Sequence, residues 1–215
     1  MCGRYQAAWD IERPELEKIG EIIRNKYPEE ELKYGEIYPA DRAPVLIYKS
    51  KAQDPIVSDR APVLTGEAAA ASDKAEVCLM RWGFKLSDKT IINARSETAA
   101  QKPLFKKSLM LRRCVIITTG FYEWSHNPED KKDKKKFLFR LPDTPVLYLA
   151  GFYEFRDGEE RYIIMTTRAN ASVSDIHDRM PVIVARSEII PWLRDTDYSQ
   201  RVLARTGPEL IRSET

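Results

Sequence analysis

The chain has 215 residues, enough for one large domain with an ample core, and its 43% hydrophobic and 32% charged content is that of an ordinary soluble protein. A net charge of +2 excludes capture of a polyanion by bulk charge, so any nucleic acid would have to be held by a local patch. Three cysteines (Cys2, Cys78 and Cys114) with no C-x-x-C pair make neither a disulfide framework nor a zinc site. No apolar run approaches the ~18 residues of a membrane span, and the start of the chain lacks a signal-peptide pattern. The expectation is a monomer in a reducing cytoplasm, nucleoid-associated if bacterial, with no metal and no cofactor.

In chain order, residues 14–27 predict an amphipathic helix with Leu16, Ile19, Ile22 and Ile23 on one face, Pro14 in its first turn and Pro28 beyond its end. A strand is expected at 45–49, after the proline-rich 38–44. Residues 50–75 hold a tetra-alanine run and echo Asp41-Arg42-Ala43-Pro44-Val45-Leu46 as Asp59-Arg60-Ala61-Pro62-Val63-Leu64. One echo is too short for a repeat architecture, so this stretch reads as a loop or hairpin insertion in a single domain spanning 1–215. Strands follow at 77–84 and 90–94, a short helix from Ser96 and another at 104–111. A β-rich series then runs through 114–119, 120–124, 137–141, 146–155 and 161–166, supported by period-2 aromatic and β-branched patterns. A short helix at 171–176, a strand at 181–184 and a helix at 187–194 complete the chain. So many consecutive strands exclude a doubly wound fold. The expected class is α/β of the α+β type: a curved, mixed or antiparallel sheet with a barrel-like core, flanked by short helices. The basic run Lys131-Lys132-Asp133-Lys134-Lys135-Lys136 reads as a solvated hairpin tip, with a nucleic-acid tail or import tract as the alternative.

The chemistry centres on Met1-Cys2-Gly3-Arg4. A small second residue generally permits removal of the initiator Met, which leaves Cys2 with a free α-amine beside its thiol. Reference pKa values of about 8 and 8.5 let modest perturbation make both reactive near neutrality. Such a pair captures an aldehyde twice: the amine forms an imine, then sulfur closes a five-membered thiazolidine. Four further segments place polar residues inside apolar stretches. They are Asn93-Ala94-Arg95-Ser96-Glu97-Thr98, Gly120-Phe121-Tyr122-Glu123-Trp124, Ala150-Gly151-Phe152-Tyr153-Glu154 and His177-Asp178-Arg179-Met180-Pro181. Each has a bland structural explanation: Asn93 in a turn, Glu97 supporting the following helix, Glu123 paired with an arginine, His177 at a helix C-terminus. Their combination suits acid–base chemistry, since a carboxylate between aromatics tends toward a raised pKa and an imidazole titrates near neutrality. Arg95 and Arg179 lie two positions beyond Asn93 and His177, and converging segments would let them grip phosphates.

The blocks that begin at Cys2, Ile92, Gly120 and His177, with Arg81-Trp82-Gly83-Phe84 and Arg112-Arg113-Cys114, occur in one order from residue 2 to about 192, and the chain resembles the SOS-response-associated peptidase family. The resemblance implies a single domain that binds single-stranded DNA and crosslinks itself to abasic sites. By resemblance, Cys2 is the nucleophile and Asn93 holds its amino end. Glu123 is the acid and base of imine formation, and His177 assists sugar opening and release. Arg4, Arg95 and Arg179 contact phosphates, and Trp82 either offers a stacking surface to bases or lies in the core. Lyase and self-processing peptidase activities are further expectations. Two rivals stand beside this reading: a thiol peptidase or amidase with Cys2 as N-terminal nucleophile, and a non-catalytic single-strand binding module. The chain departs from the family at Glu36-Ile37-Tyr38-Pro39, where Asn-x-Ala-Pro is usual, and at the short 85–89 loop, where a proline and an aromatic are usual. Both departures bear on the site lining and on any preference for DNA junctions.

Overall fold

A computed structural model describes residues 2–7, 14–48, 75–125 and 134–215. Met1, all but the last residue of the 50–75 insertion and the first half of the basic run lie outside the described residues. The architecture joins a closed barrel to an open sheet. Strands β1 (Arg4–Ala7), β2 (Gly35–Ile37), β3 (Arg42–Ile47), β4 (Glu76–Trp82), β5 (Phe84–Leu86), β6 (Lys89–Ile91) and β7 (Asn93–Arg95) come first, with α1 (Pro14–Lys26) between β1 and β2. A 3-10 turn at Ala99–Gln101 and α2 (Pro103–Leu111) lead into β8 (Arg113–Thr118), β9 (Gly120–Trp124), β10 (Lys136–Arg140), β11 (Leu147–Arg156) and β12 (Glu159–Arg168). The chain ends with β13 (Arg179–Pro181), β14 (Ile183–Val184), α3 (Ile189–Arg194), α4 (Thr196–Ala204) and β15 (Ile211–Glu214).

The strands β12, β4, β3, β8 and β11 pair in a closed circuit, antiparallel except for β4 beside β12. The short strands β7 and β13 extend β12, the first in parallel, and β14 extends β11. An all-antiparallel sheet, ordered β15-β10-β9-β1-β2, forms the second layer. Barrel closure removes free edges from the five central strands, which explains why β8 reads as an unbroken apolar run and is buried along its whole length. Gly151 permits the tight approach of β11 to its neighbours: a Cβ there would sit 2.6 Å from the Ile163 carbonyl oxygen.

Helix α1 buries Leu16, Ile19 and Ile23 as expected, but Ile22 is exposed at the edge of the stripe. Arg113, buried in β8, donates to the carbonyls of Leu109 (3.0 Å) and Met110 (2.8 Å) in α2 and of Trp192 (2.6 Å) in α3. It satisfies helix-end acceptors that would otherwise be orphaned in the core. The expected helix at 171–176 is instead a set of turns. Asn170 Oδ1 takes the Ser172 N–H (3.1 Å) and hydroxyl (2.6 Å), a local bond that competes with helix formation. The helix expected at 187–194 is a 3-10 turn at Arg186–Glu188 running into α3, and α4 follows with Asp195 capping it through the Tyr198 N–H (2.9 Å). Among the described residues no helix is long and apolar enough to cross a membrane.

Candidate active site

The barrel and the open sheet meet at the start of the chain. Strand β1 pairs with β9 in the register Arg4 to Tyr122 and Tyr5 to Phe121, which carries Cys2 toward the end of β9 where Glu123 lies. Asn93, at the start of β7, donates from Nδ2 to the Cys2 carbonyl oxygen at 2.8 Å and so fixes the chain's first peptide. Behind it stands Trp82, whose indole N–H donates to the Ile92 carbonyl at 3.0 Å and whose ring packs 5.2 Å from Tyr5 and 6.5 Å from Tyr162. The Tyr5 and Tyr162 hydroxyls share a buried hydrogen bond of 2.6 Å. Gly83 lets β4 turn away at once: its φ is +102°, and a Cβ would meet the Thr90 methyl at 2.5 Å.

Cys2 is fully buried, and its Sγ lies 3.7 Å from the Arg4 carbonyl oxygen. Burial first, then the nearby negative charge of Glu123, push its thiol well above the ordinary range. The resting sulfur is therefore a protonated thiol shielded from stray oxidation. Burial likewise lifts the Glu123 carboxyl to about 7, with Asp178 among the charges that raise it. A carboxyl near 7 exchanges protons in both directions at neutral pH. His177 is held below its usual value, mainly by burial, with the Asp178 carboxylate opposing. Its Nδ1 lies 3.0 Å from the Arg179 backbone nitrogen. Asp178 Oδ1 sits 2.9 Å from the same Nδ1 and becomes an ion-pair partner only when the ring is protonated.

The raised Glu123 value has a thermodynamic consequence. The folded state holds this proton up to about pH 7, whereas an unfolded carboxyl releases it near 4.3. Its contribution to stability is thus complete below the unfolded value and is lost as pH rises through 7. Glu123→Gln, neutral throughout, should gain up to about 3 kcal/mol over the parent at pH 8 and little at pH 5. Urea denaturation at the two pH values measures it.

Two expected contacts are corrected by the geometry. Trp82 is 0% exposed, so it presents no face to a base; its aromatic area supports Asn93 and β1 from within the core. Arg179, 6% exposed, is committed within the protein: its guanidinium donates to both oxygens of Glu97 at 2.8 Å and to the Thr166 carbonyl at 2.8 Å. The same Thr166 carbonyl accepts the Ser96 N–H at 2.8 Å, so the Arg179–Glu97 pair ties the segment after Asn93 to the segment after His177. Glu97 thus serves this pair rather than the start of a helix. Arg179→Ala removes the tie and should cost about 1–2 kcal/mol, read by denaturant unfolding, because it removes a bidentate ion pair to the partly exposed Glu97 and one of the two donors to the Thr166 carbonyl. Arg95 is exposed beside this segment, and Arg4 lies on β1, half-buried against Tyr38 and Trp124. Among the described residues no cluster of His, Cys, Asp and Glu could hold a metal.

The family model described as "SOS response associated peptidase (SRAP)" matches residues 1–211. The chain belongs to the SRAP family. Curated relatives include the abasic site processing protein YoqW of Bacillus subtilis, 38% identical over a match covering 58% of this chain and 62% of that protein. YedK of Escherichia coli is 28% identical over 99% of this chain and 86% of its own length. HMCES of Xenopus tropicalis is 31% identical over 58% of this chain and 47% of its own. The matches to YoqW and HMCES therefore span less than two thirds of those proteins. Among solved structures, a protein from Bordetella bronchiseptica aligns with a TM-score of 0.69 at 20% identity, covering 100% of this chain and 99% of that one. One from Bacteroides thetaiotaomicron gives 0.64 at 20%, over 99% and 91% of the two chains. These two likenesses show the fold alone.

Proposed function

We propose that this chain processes abasic sites in single-stranded DNA by joining Cys2, freed of Met1, to the ring-opened sugar. The relatives' names, abasic site processing protein, support the substrate class. The observation that carries the chemistry is the β1–β9 register that sets Cys2, tethered by Asn93, beside the buried Glu123 carboxyl, whose pKa that burial raises.

In this reading the neutral α-amine of Cys2 attacks the C1′ aldehyde to give a carbinolamine. Protonated Glu123 gives its proton to the departing hydroxyl, water leaves, and a protonated imine remains beside the Glu123 carboxylate. The carboxylate then takes the thiol proton as sulfur forms the C–S bond and the C=N electron pair moves to nitrogen, which leaves a neutral thiazolidine N–H and returns Glu123 to its acid form. One water is lost overall. His177, held toward its neutral form by burial, assists the opening of the hemiacetal ring. Asn93 holds the Cys2 carbonyl and thereby the direction of the amine. Because Cys2 is buried, the sugar must swing inward, and a nucleotide without a base is the least costly one to extrude. Arg95, exposed, and Arg4, partly exposed and ion-paired with Glu36, are the cations placed to hold flanking phosphates.

The peptidase alternative calls for a ready thiolate, and burial beside Glu123 favours the protonated thiol instead. The deciding test incubates Met-processed protein with an oligonucleotide holding one abasic site. A band that survives denaturation supports crosslinking. Absence of that band, with acylation of Cys2 by a peptide ester, would establish the peptidase reading in its place.

A further inference from the structure

Beside the buried site, the outer face of the open sheet sets Arg4 in a cluster whose other members the chemistry above leaves unused. Arg4 on β1, Glu36 on β2, Tyr122 and Trp124 on β9 and Lys136 on β10 share one side of the pleat, as the strand registers require. Tyr38, two residues past Glu36, joins them. The Arg4 guanidinium lies 4.2 Å from the Tyr38 ring centre and 4.8 Å from that of Trp124, and Lys136 Nζ is 4.2 Å from the Tyr122 ring. Aromatic surfaces hold both cations in place while leaving their N–H edges to face an anion.

That anion is supplied by the chain itself. Glu36 accepts from Arg4 Nη1 at 2.9 Å through one oxygen and from Lys136 Nζ through the other, with the Tyr38 hydroxyl 3.3 Å away. The three donors converge as they would on the oxygens of a phosphate. Burial works against the Glu36 charge, yet the bonds from Lys136 and Arg4 outweigh it and hold the carboxyl below its usual range. The Arg4 and Glu36 side chains each keep 28% of their surface exposed, so the carboxylate is able to move out to solvent without breaking the core.

We propose that Lys136 and the Tyr38 hydroxyl complete the phosphate contact assigned above to Arg4, and that Glu36 is the resident competitor of this subsite, displaced when the strand binds. The subsite rests on the DNA reading above. It makes Glu36 a selectivity element: undamaged strand must expel a tethered carboxylate, and only a strand that also engages Cys2 is retained. Neutralising Glu36 leaves two cations for phosphate where a net of one exists now.

The test titrates a labelled, undamaged oligothymidine with the parent, Glu36→Gln and the double variant Glu36→Gln/Lys136→Met over a range of salt. Glu36→Gln should bind roughly three- to tenfold tighter at low salt, with a salt slope steeper by about 0.7, the single-strand increment for one phosphate contact. The double variant should lose that gain. Equal or weaker binding by Glu36→Gln, with no change in slope, overturns the subsite and would make Glu36 a clamp that orients Arg4. Parent protein run in parallel on an abasic oligonucleotide reports the crosslinking reading separately. A tighter Glu36→Gln without any covalent adduct would remove that reading and leave the phosphate subsite standing.

Discussion

Replacing Cys2 with alanine is expected to lower the yield of denaturation-resistant adduct on abasic single-stranded DNA by at least about 100-fold, because the ring-closing sulfur is gone. The α-amine of residue 2 survives this substitution, so imine formation remains open to it. Borohydride added during the incubation should therefore still trap a reduced adduct with Cys2→Ala. The two outcomes together divide the chemistry into an amine step and a thiol step. Cys78 and Cys114 are buried and internal, and cannot substitute because neither carries an amine on the neighbouring carbon.

Glu123→Gln should slow adduct formation by about 10²–10⁴-fold, the range usual for loss of a positioned acid–base group. The parent rate should peak near neutrality, since the carboxyl at about 7 must act once as acid and once as base. In Glu123→Gln the profile should lose the limb belonging to that group. The same substitution is expected to stabilise the fold at pH 8, so a slower variant that is also more stable separates chemistry from unfolding. A Glu123→Gln enzyme with the parent's rate and pH profile would remove Glu123 from the mechanism.

Much of the fold was legible because its signals are local. Leu16, Ile19 and Ile23 repeat at helical spacing, and the β8 run of Cys114 to Ile117 is long and β-branched. Strand β2 was missed because three residues between turn formers carry no period. Strand β15 was missed because Ile211–Glu214 is mostly exposed and polar, with its place set by pairing to β10 rather than by burial. Asp195 carries a legible cap for α4, and the helix expected at 187–194 stops one residue short of it.

The site residues divide in the same way. Cys2, Asn93, Glu123 and His177 stood out as polar residues in apolar or motif contexts. What the sequence withheld was partnership across distance. Arg179 finds Glu97 82 positions away, and no local pattern tells that guanidinium from one free to bind phosphate. Trp82 ends a strand buried on both faces, where alternation cannot mark inside from outside. Glu36 was visible as a departure, but its grip on Arg4 and Lys136 joins three strands and became apparent only in the folded sheet.

The most direct measurement is intact mass spectrometry of Met-processed protein after exposure to an abasic oligonucleotide, followed by denaturation and alkylation with iodoacetamide. The account predicts a species with the summed mass of protein and oligonucleotide less one water, in which only Cys78 and Cys114 take up the label. An adduct in which Cys2 is alkylated as well, or no covalent species at all, would contradict it.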